Sequence, residues 1–100
     1  MLKVTGLHGR PVDPDSFEQY YADVHLPLFH RMCGVERSEA ARVVGTPDGS
    51  PAPYYRIFEF WLASPEQLDY SLSSAEGQAV VADLPNLATG GVSILVSETQ

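Results

Sequence analysis

The first strong pattern in the chain is a run of apolar residues at helical spacing within residues 14–32. Asp13 and Pro14 precede it as an N-cap followed by a proline at the first helical position. The apolar positions then recur at intervals of three and four, as Phe17, Tyr20, Tyr21, Val24 and Leu28. This period predicts an amphipathic helix over residues 14–32.

Four other segments have the composition of strands. Residues 2–8 and 92–98 are short and rich in strand formers, and residues 54–62 are aromatic and branched. Residues 35–45 are also interpreted as a strand, although their Glu, Arg and Ala residues favour helix. The proline-containing stretch that separates the last two, residues 46–53, has the composition of a loop.

A second helical region begins at Ser64. Pro65 at the first helical position and Gln67 at the third complete a capping-box pattern, which predicts a helix over residues 65–73. A serine then restarts the helix, which continues over residues 75–82. The predicted order is therefore β-α-β-β-α-β.

This order predicts a ferredoxin-like α+β sandwich, formed by a single domain over residues 1–100. In this fold a four-stranded antiparallel sheet carries both helical regions on one face. The alternation in residues 54–62 gives two sets of side chains, and both sets contain aromatic residues. Whichever set faces the helices, the other leaves apolar groups uncovered, and such a face indicates a ligand or partner site.

Charge and cysteine content narrow the choice of partners and compartment. The formal net charge is −7, with six basic residues against thirteen acidic ones. The basic residues are scattered, so nucleic acid and anionic membrane are not expected partners. Cys33 is the only cysteine, no signal peptide is visible, and no apolar stretch reaches the length of a membrane span. These features predict a cytoplasmic protein.

His25 is the first candidate site residue. Pro27 removes one backbone donor, so the helix is expected to kink or tighten over residues 23–27. Tyr21 lies four residues before His25 on the same helix face, and its hydroxyl would fix the tautomer that a general base requires. The alternative is structural, with the imidazole satisfying the distorted backbone.

Residues 54–62 supply the other candidates. Glu59 lies within a strongly apolar segment, and a desolvated carboxyl there would have a raised pKa and move protons. Tyr55, Ile57 and Trp61 belong to the same alternation set and would form an aromatic and aliphatic substrate pocket. The alternatives are an ion pair for Glu59 and ordinary interface packing for its neighbours.

No metal site is expected. The three histidines have no recognisable ligand spacing, and His8 and His30 are both interpreted as surface residues at the ends of elements. The chain also contains no glycine-rich phosphate loop.

Two motifs resemble those of the EthD family, which belongs to the dimeric α+β barrel superfamily. The first is Tyr21-x-x-x-His25-x-Pro27-Leu28. The second combines Ser74-x-x-Gly77 with Ala82-Asp83-x-Pro85-Asn86. The resemblance extends over residues 4–98. It implies a homodimer whose sheets pack face to face, with a cavity beneath the elements that cover each sheet.

The resemblance also implies two kinds of function. The first is a small cofactor-independent enzyme, of isomerase, cyclase or monooxygenase type, that acts on a small hydrophobic or aromatic metabolite. The second is a non-catalytic dimeric protein that binds a hydrophobic ligand or serves as an accessory protein of a degradation pathway. Asp83 and Asn86 are expected to end the second helical region and to bond across to the first helix.

Overall fold

A four-stranded antiparallel sheet forms the base of the computed structural model, which describes residues 1–100. The strands are β1 Leu2–His8, β2 Arg37–Arg42, β3 Arg56–Leu62 and β4 Val92–Glu98. Their spatial order is β2-β3-β1-β4, so β1 pairs with both β3 and β4. The ferredoxin-like fold and its element order are thereby confirmed. The strand predicted over residues 35–45 is present but shorter.

The helices lie on one face of this sheet. They are α1 Pro14–Tyr20, a π-helical turn Tyr21–His25, α2 Leu26–His30, α3 Pro65–Ser73 and α4 Ala75–Leu87. The side chains of Asp13, Ser64 and Ser74 accept hydrogen bonds from the backbone amides of the first turns of α1, α3 and α4. Each cap satisfies an amide that has no partner within its helix.

Helix α4 is longer than the sequence predicts and includes Pro85. The proline removes a single amide near the end of the helix, and the Ala88 N–H still donates to the Leu84 carbonyl. None of the helices combines the length and the apolarity that crossing a bilayer would require.

Side chains alternate between two faces of the sheet. Across β1, β3 and β4, Val4 lies opposite Phe60 and Val96, and even-numbered strand residues point towards the helices. We call this the covered face. Odd-numbered residues such as Glu59 form the open face, against which no helix packs.

The hydrophobic core lies between the covered face and the helices, in two clusters. The larger cluster is built from Leu2, Val4, Phe29, Met32, Phe60, Leu62 and Leu68. The smaller one consists of Phe17, Tyr21 and Leu87. Phe58 packs against both clusters, and the candidate site lies beside it.

Candidate active site

A cavity of about 170 Å³ lies between the covered face and the helices. Most of its lining is aliphatic or aromatic, and only His8, Tyr21 and His25 present side-chain nitrogen or oxygen atoms to it. Small-molecule sites typically have this character, with a few convergent polar groups in an apolar wall.

The cavity opens between α4 and β4. Three of its lining residues are more than half exposed there, namely Val81 at 51%, Ile94 at 52% and Val96 at 55%. The polar lining residues lie away from this opening and are at most 7% exposed. A ligand therefore passes apolar surface before it reaches the polar groups.

The π-helical turn places Tyr21 and His25 on the cavity wall. Along an α-helix, each step of four residues turns the side-chain direction by roughly 40°. Side chains at this spacing would therefore turn progressively away from the sheet, and the series here is Phe17, Tyr21, His25 and Phe29. All four are nevertheless buried. The Leu26 N–H reaches the Tyr21 carbonyl five residues back, and this wider turn offsets part of the rotation.

The effect of Pro27 differs from the prediction. Over residues 23–27 the helix does not tighten but widens into the π-helical turn immediately before the proline, which occupies the first turn of α2. Pro27 nevertheless lies inside a continuous helical stretch, residues 14–30, and lacks the amide that would continue its hydrogen bonds. The imidazole of His25 forms no hydrogen bond with the backbone, and its partner is a side chain of α4.

His25 forms a buried pair with Asp83 of α4. The His25 Nδ1 lies 2.9 Å from Asp83 Oδ2, and both residues are 7% exposed. The Tyr20 hydroxyl and the Asn86 amide both donate to Asp83 Oδ1. Asp83 is therefore the centre of a network that joins α4 to the first helical region, as the sequence predicts.

The network holds Asp83 in its ionised form. Burial alone would raise the pKa of Asp83, but hydrogen bonds from Tyr20, Asn86 and His25 outweigh it and leave the pKa below its usual value. An ionised carboxylate only accepts, so Nδ1 of a neutral His25 carries the hydrogen and Nε2 carries the lone pair. The orienting partner of His25 is thus Asp83, and the predicted role of the Tyr21 hydroxyl in fixing the tautomer is wrong.

Tyr21 and His8 line the cavity, and each carries a buried polar atom without a partner. Both residues are 3% exposed, and neither Tyr21 Oη nor His8 Nδ1 has a hydrogen-bond partner within the chain. Burial lowers the pKa of His8 to about 4, with smaller contributions from the charges of His25 and Arg56. Burial likewise raises the pKa of Tyr21 to about 12. Both side chains are therefore uncharged near neutral pH.

Arg56 is the cation nearest to this group. Its guanidinium lies 4.7 Å from the centre of the Tyr21 ring but donates to both carboxylate oxygens of Glu18. The Tyr21 hydroxyl has no partner in hydrogen-bonding geometry, although the nearby Arg56 charge offsets part of the effect of burial on the Tyr21 pKa, and Arg56 does not line the cavity. The cavity wall consequently carries no free positive charge.

The structure does not bring the other predicted site residues into the cavity. Glu59, Ile57 and Trp61 lie on the open face, where Glu59 pairs with Lys3 at 3.1 Å. The hypothesis that their alternation set lines the cavity is wrong, because the even-numbered set with Phe58 and Phe60 faces the helices. Tyr55 precedes β3 and packs edge-on against Phe17 outside the cavity lining.

Sequence reasoning missed one residue of the site and the hydrogen-bond partner of another. His8 is interpreted above as a surface residue, yet it is buried against Phe17 and Tyr21. His8 occupies an even position in β1, as do the buried Leu2 and Val4. This alternation predicts that His8 is buried. Asp83 was expected to bond across to the first helix, but nothing in its local sequence indicates that its partner is His25.

Together these features define a ferredoxin-like α+β domain with a buried His–Asp pair at the wall of an apolar cavity. A family model for the EthD domain matches residues 9–91, and the chain therefore belongs to the EthD family.

Two relatives resemble the chain over nearly their whole length. An uncharacterised 11.0 kDa protein from the thcB–thcC intergenic region of Rhodococcus erythropolis is 31% identical, with 100% of this chain and 96% of that protein covered. The crystal structure of an EthD family protein of Bacillus halodurans is 26% identical and superposes with a TM-score of 0.93, covering 100% of this chain and 99% of that one.

The same fold occurs in SnoaB of Streptomyces nogalater, a cofactor-independent oxygenase. That structure is 15% identical, with a TM-score of 0.67 over 99% of this chain and 93% of that one. At this level of identity the likeness concerns the fold alone.

Proposed function

We propose that the protein is a small enzyme that transfers a proton to or from a small hydrophobic or aromatic molecule bound in the cavity. His25 is the general acid–base residue, and Asp83 positions it. The observation that carries this proposal is the buried His25–Asp83 pair at the cavity wall. A histidine oriented by a carboxylate through Nδ1 is suited to take a proton at Nε2.

The size and lining of the cavity support a single-ring ligand. Apolar protein cavities of about 150 Å³ bind benzene, and this cavity is of comparable volume. Its apolar wall also disfavours a separated charge, so a carbanion formed there needs delocalisation onto an oxygen of the ligand. A proton next to a carbonyl, or the hydroxyl proton of a phenol, meets that requirement.

One proton transfer is the common first step of the three reaction types. The resulting enolate is protonated at another carbon in an isomerase, attacks a second carbonyl of the same ligand in a cyclase, or passes an electron to dioxygen in a monooxygenase. A base and an apolar pocket suffice for that first step, and the proposed chemistry is therefore cofactor-independent. The fold shared with a cofactor-independent oxygenase is compatible with this proposal.

The test is the exchange of α-hydrogens of cyclohexanone in deuterated water, followed by NMR. We expect the wild-type protein to accelerate the exchange above the buffer rate. We expect His25→Asn to stay folded and to lose about 100-fold of that acceleration, since Asn does not titrate near neutrality. His30→Asn, at an exposed histidine outside the cavity, is the matched control.

Ligand binding, followed by thermal stabilisation, separates the two classes of function. If cyclohexanone stabilises the wild type, but His25→Asn exchanges its hydrogens equally fast, the catalytic proposal fails. The protein would then be a non-catalytic binding or accessory protein of the kind considered above.

We also propose that the protein is a homodimer in which two open faces pack together. Leu95 is 55% exposed on this face, and Ile57 and Trp61 are only half-buried there. A stable interface of this kind buries roughly 1,500 Å² in total. Light scattering at micromolar concentration should give twice the chain mass of 10.9 kDa. Leu95→Asp should give the monomer mass. The control Val44→Asp, in an exposed loop, should keep the dimer mass. A monomeric wild type overturns the proposal.

A further inference from the structure

Two residues that each carry an unpaired polar atom lie close together in the cavity wall. The rings of Tyr21 and His8 are 6.4 Å apart and nearly perpendicular, and both residues line the cavity. Tyr21 Oη and His8 Nδ1 are buried without a partner in the chain. Unpaired buried polar atoms destabilise a folded protein and are uncommon, so each of them needs an explanation.

The cavity has a polar end and an apolar end. His8 ends β1 opposite Val92 of β4, whereas Val4 lies opposite Val96 four residues away. At about 3.3 Å per residue this separation is roughly 13 Å along the strand. Tyr21 lies at the His8 end, and His25 lies one helical turn further along the wall. A ligand anchored at His8 and Tyr21 therefore extends past His25 towards Val4 and Val96.

The polar end is matched to an uncharged oxygen. A tyrosine hydroxyl both donates and accepts, and a neutral imidazole nitrogen does one or the other according to its tautomer. The pair can therefore donate twice to a carbonyl oxygen, or donate to and accept from a hydroxyl. A carboxylate would need a free cation, and Arg56 is already paired with Glu18.

We propose that Tyr21 and His8 form an oxygen-binding subsite that holds one uncharged carbonyl or hydroxyl oxygen of a single-ring ligand. The rest of the ring lies against the apolar wall, with the carbon next to the oxygen-bearing one near His25. This inference rests on the proposed function, because it assigns the ligand class to the same cavity. It adds that recognition depends on one oxygen and not on the apolar surface alone.

The test compares dissociation constants for four probes, namely phenol, cyclohexanone, toluene and benzoate. Toluene replaces the phenol hydroxyl by a methyl group, and benzoate adds a charge. We expect phenol or cyclohexanone to bind the wild type about 10-fold more tightly than toluene, which is the scale of one or two hydrogen bonds. A preference for phenol over cyclohexanone indicates that His8 accepts, since a ketone oxygen has no proton to donate, and equal binding of the two indicates that donation to the ligand oxygen suffices.

Three variants locate the effect, and a fourth is the control. Tyr21→Phe and His8→Leu should each reduce the preference over toluene to less than about 3-fold and leave toluene binding unchanged. His8→Asn, which retains a polar group near the Nδ1 position, should keep part of the preference and serves if His8→Leu does not fold. Tyr70→Phe removes the same hydroxyl from a tyrosine that is 68% exposed and should change nothing.

The outcomes separate the subsite from the catalytic proposal. Equal binding of phenol, cyclohexanone and toluene to the wild type, or tighter binding of benzoate, overturns the subsite. If α-hydrogen exchange still depends on His25 in that case, the proposed function stands without it. If the preference for oxygen is present and depends on Tyr21 but no exchange is catalysed, the subsite stands and the catalytic proposal fails.

Discussion

The two sides of the sheet differ in how their polar groups are paired. On the open face Glu59 accepts from Thr5 and pairs with Lys3, and the Arg37 guanidinium lies 4.0 Å from the Trp61 ring centre. On the covered side, Tyr21 and His8 each retain a buried atom without a partner.

This contrast indicates where the ligand site lies. Polar groups that satisfy one another at a surface are explained by stability and solubility, and they leave nothing for a ligand to complete. Unpaired groups in an apolar wall reduce stability, and a ligand that pairs with them restores it. A charged residue in an apolar strand, such as Glu59, is therefore a weaker indication of a ligand site than buried polar groups without partners.

The largest expected difference between the faces concerns their carboxylates. Asp83→Ala removes the acceptor for Tyr20, Asn86 and His25 and should lower the free energy of unfolding by about 3 kcal/mol. In a protomer whose open face is exposed, as expected for Leu95→Asp, Glu59→Ala breaks a partly exposed ion pair and should lower it by no more than about 0.5 kcal/mol. Urea unfolding of both variants measures the comparison. Equal losses would mean that the Asp83 network contributes no more than a surface pair.

A smaller effect is expected from buried His8, which makes the stability of the fold depend on pH. The folded-state pKa of His8 is about 4, below the 6.5 of an unperturbed histidine, mainly because of burial. Between these values the unfolded chain binds a proton that the folded chain does not. The free energy of unfolding should therefore fall as the pH is lowered from above 6.5 to 4, by about 2 kcal/mol from this group.

The His8→Leu variant isolates this contribution, because His25 and Asp83 remain in place. Urea unfolding at several pH values should give a shallower fall for the variant than for the wild type over that range. Identical pH profiles would show that the His8 imidazole is not desolvated in the folded protein, and the subsite would lose one of its supports.

Much of the fold follows from local patterns in the sequence. Helical spacing, strand composition and the caps at Asp13 and Ser64 are local properties, and each predicts the element that is found. The family motif likewise singles out His25, which does line the cavity. These features depend on neighbours only a few residues away.

The rest of the site depends on contacts that local patterns do not encode. Alternation divides β3 into two sets but does not say which faces the helices, and each set contains one charged residue, Arg56 or Glu59. The residue types at these positions were informative. One set contains Phe58 and Phe60, the other contains Trp61, and Phe is more often fully buried than Trp. The pairing of His25 with Asp83 spans 58 positions, and only the packed fold shows it.

The smallest change in stability is expected from removing the hydroxyls of two adjacent tyrosines. One hydroxyl has a hydrogen-bond partner and the other has none. Tyr20 donates to Asp83, so Tyr20→Phe should lower the free energy of unfolding slightly. The Tyr21 hydroxyl is buried without a partner, so Tyr21→Phe should raise that free energy by about 1 kcal/mol in the ligand-free protein.

The sign of the Tyr21→Phe effect is the informative result, because removing a buried tyrosine hydroxyl ordinarily destabilises a protein. Both substitutions keep the aromatic ring, so packing against Phe17 and Phe58 is preserved at position 21. Thermal melts of the two variants beside the wild type, with and without phenol, complete the measurement. Phenol should stabilise the wild type more than Tyr21→Phe, because only the wild type offers its oxygen the tyrosine hydroxyl. If Tyr21→Phe instead lowers stability as Tyr20→Phe does, the Tyr21 hydroxyl already has a partner in the folded protein, and the contrast between the two faces no longer marks the ligand site.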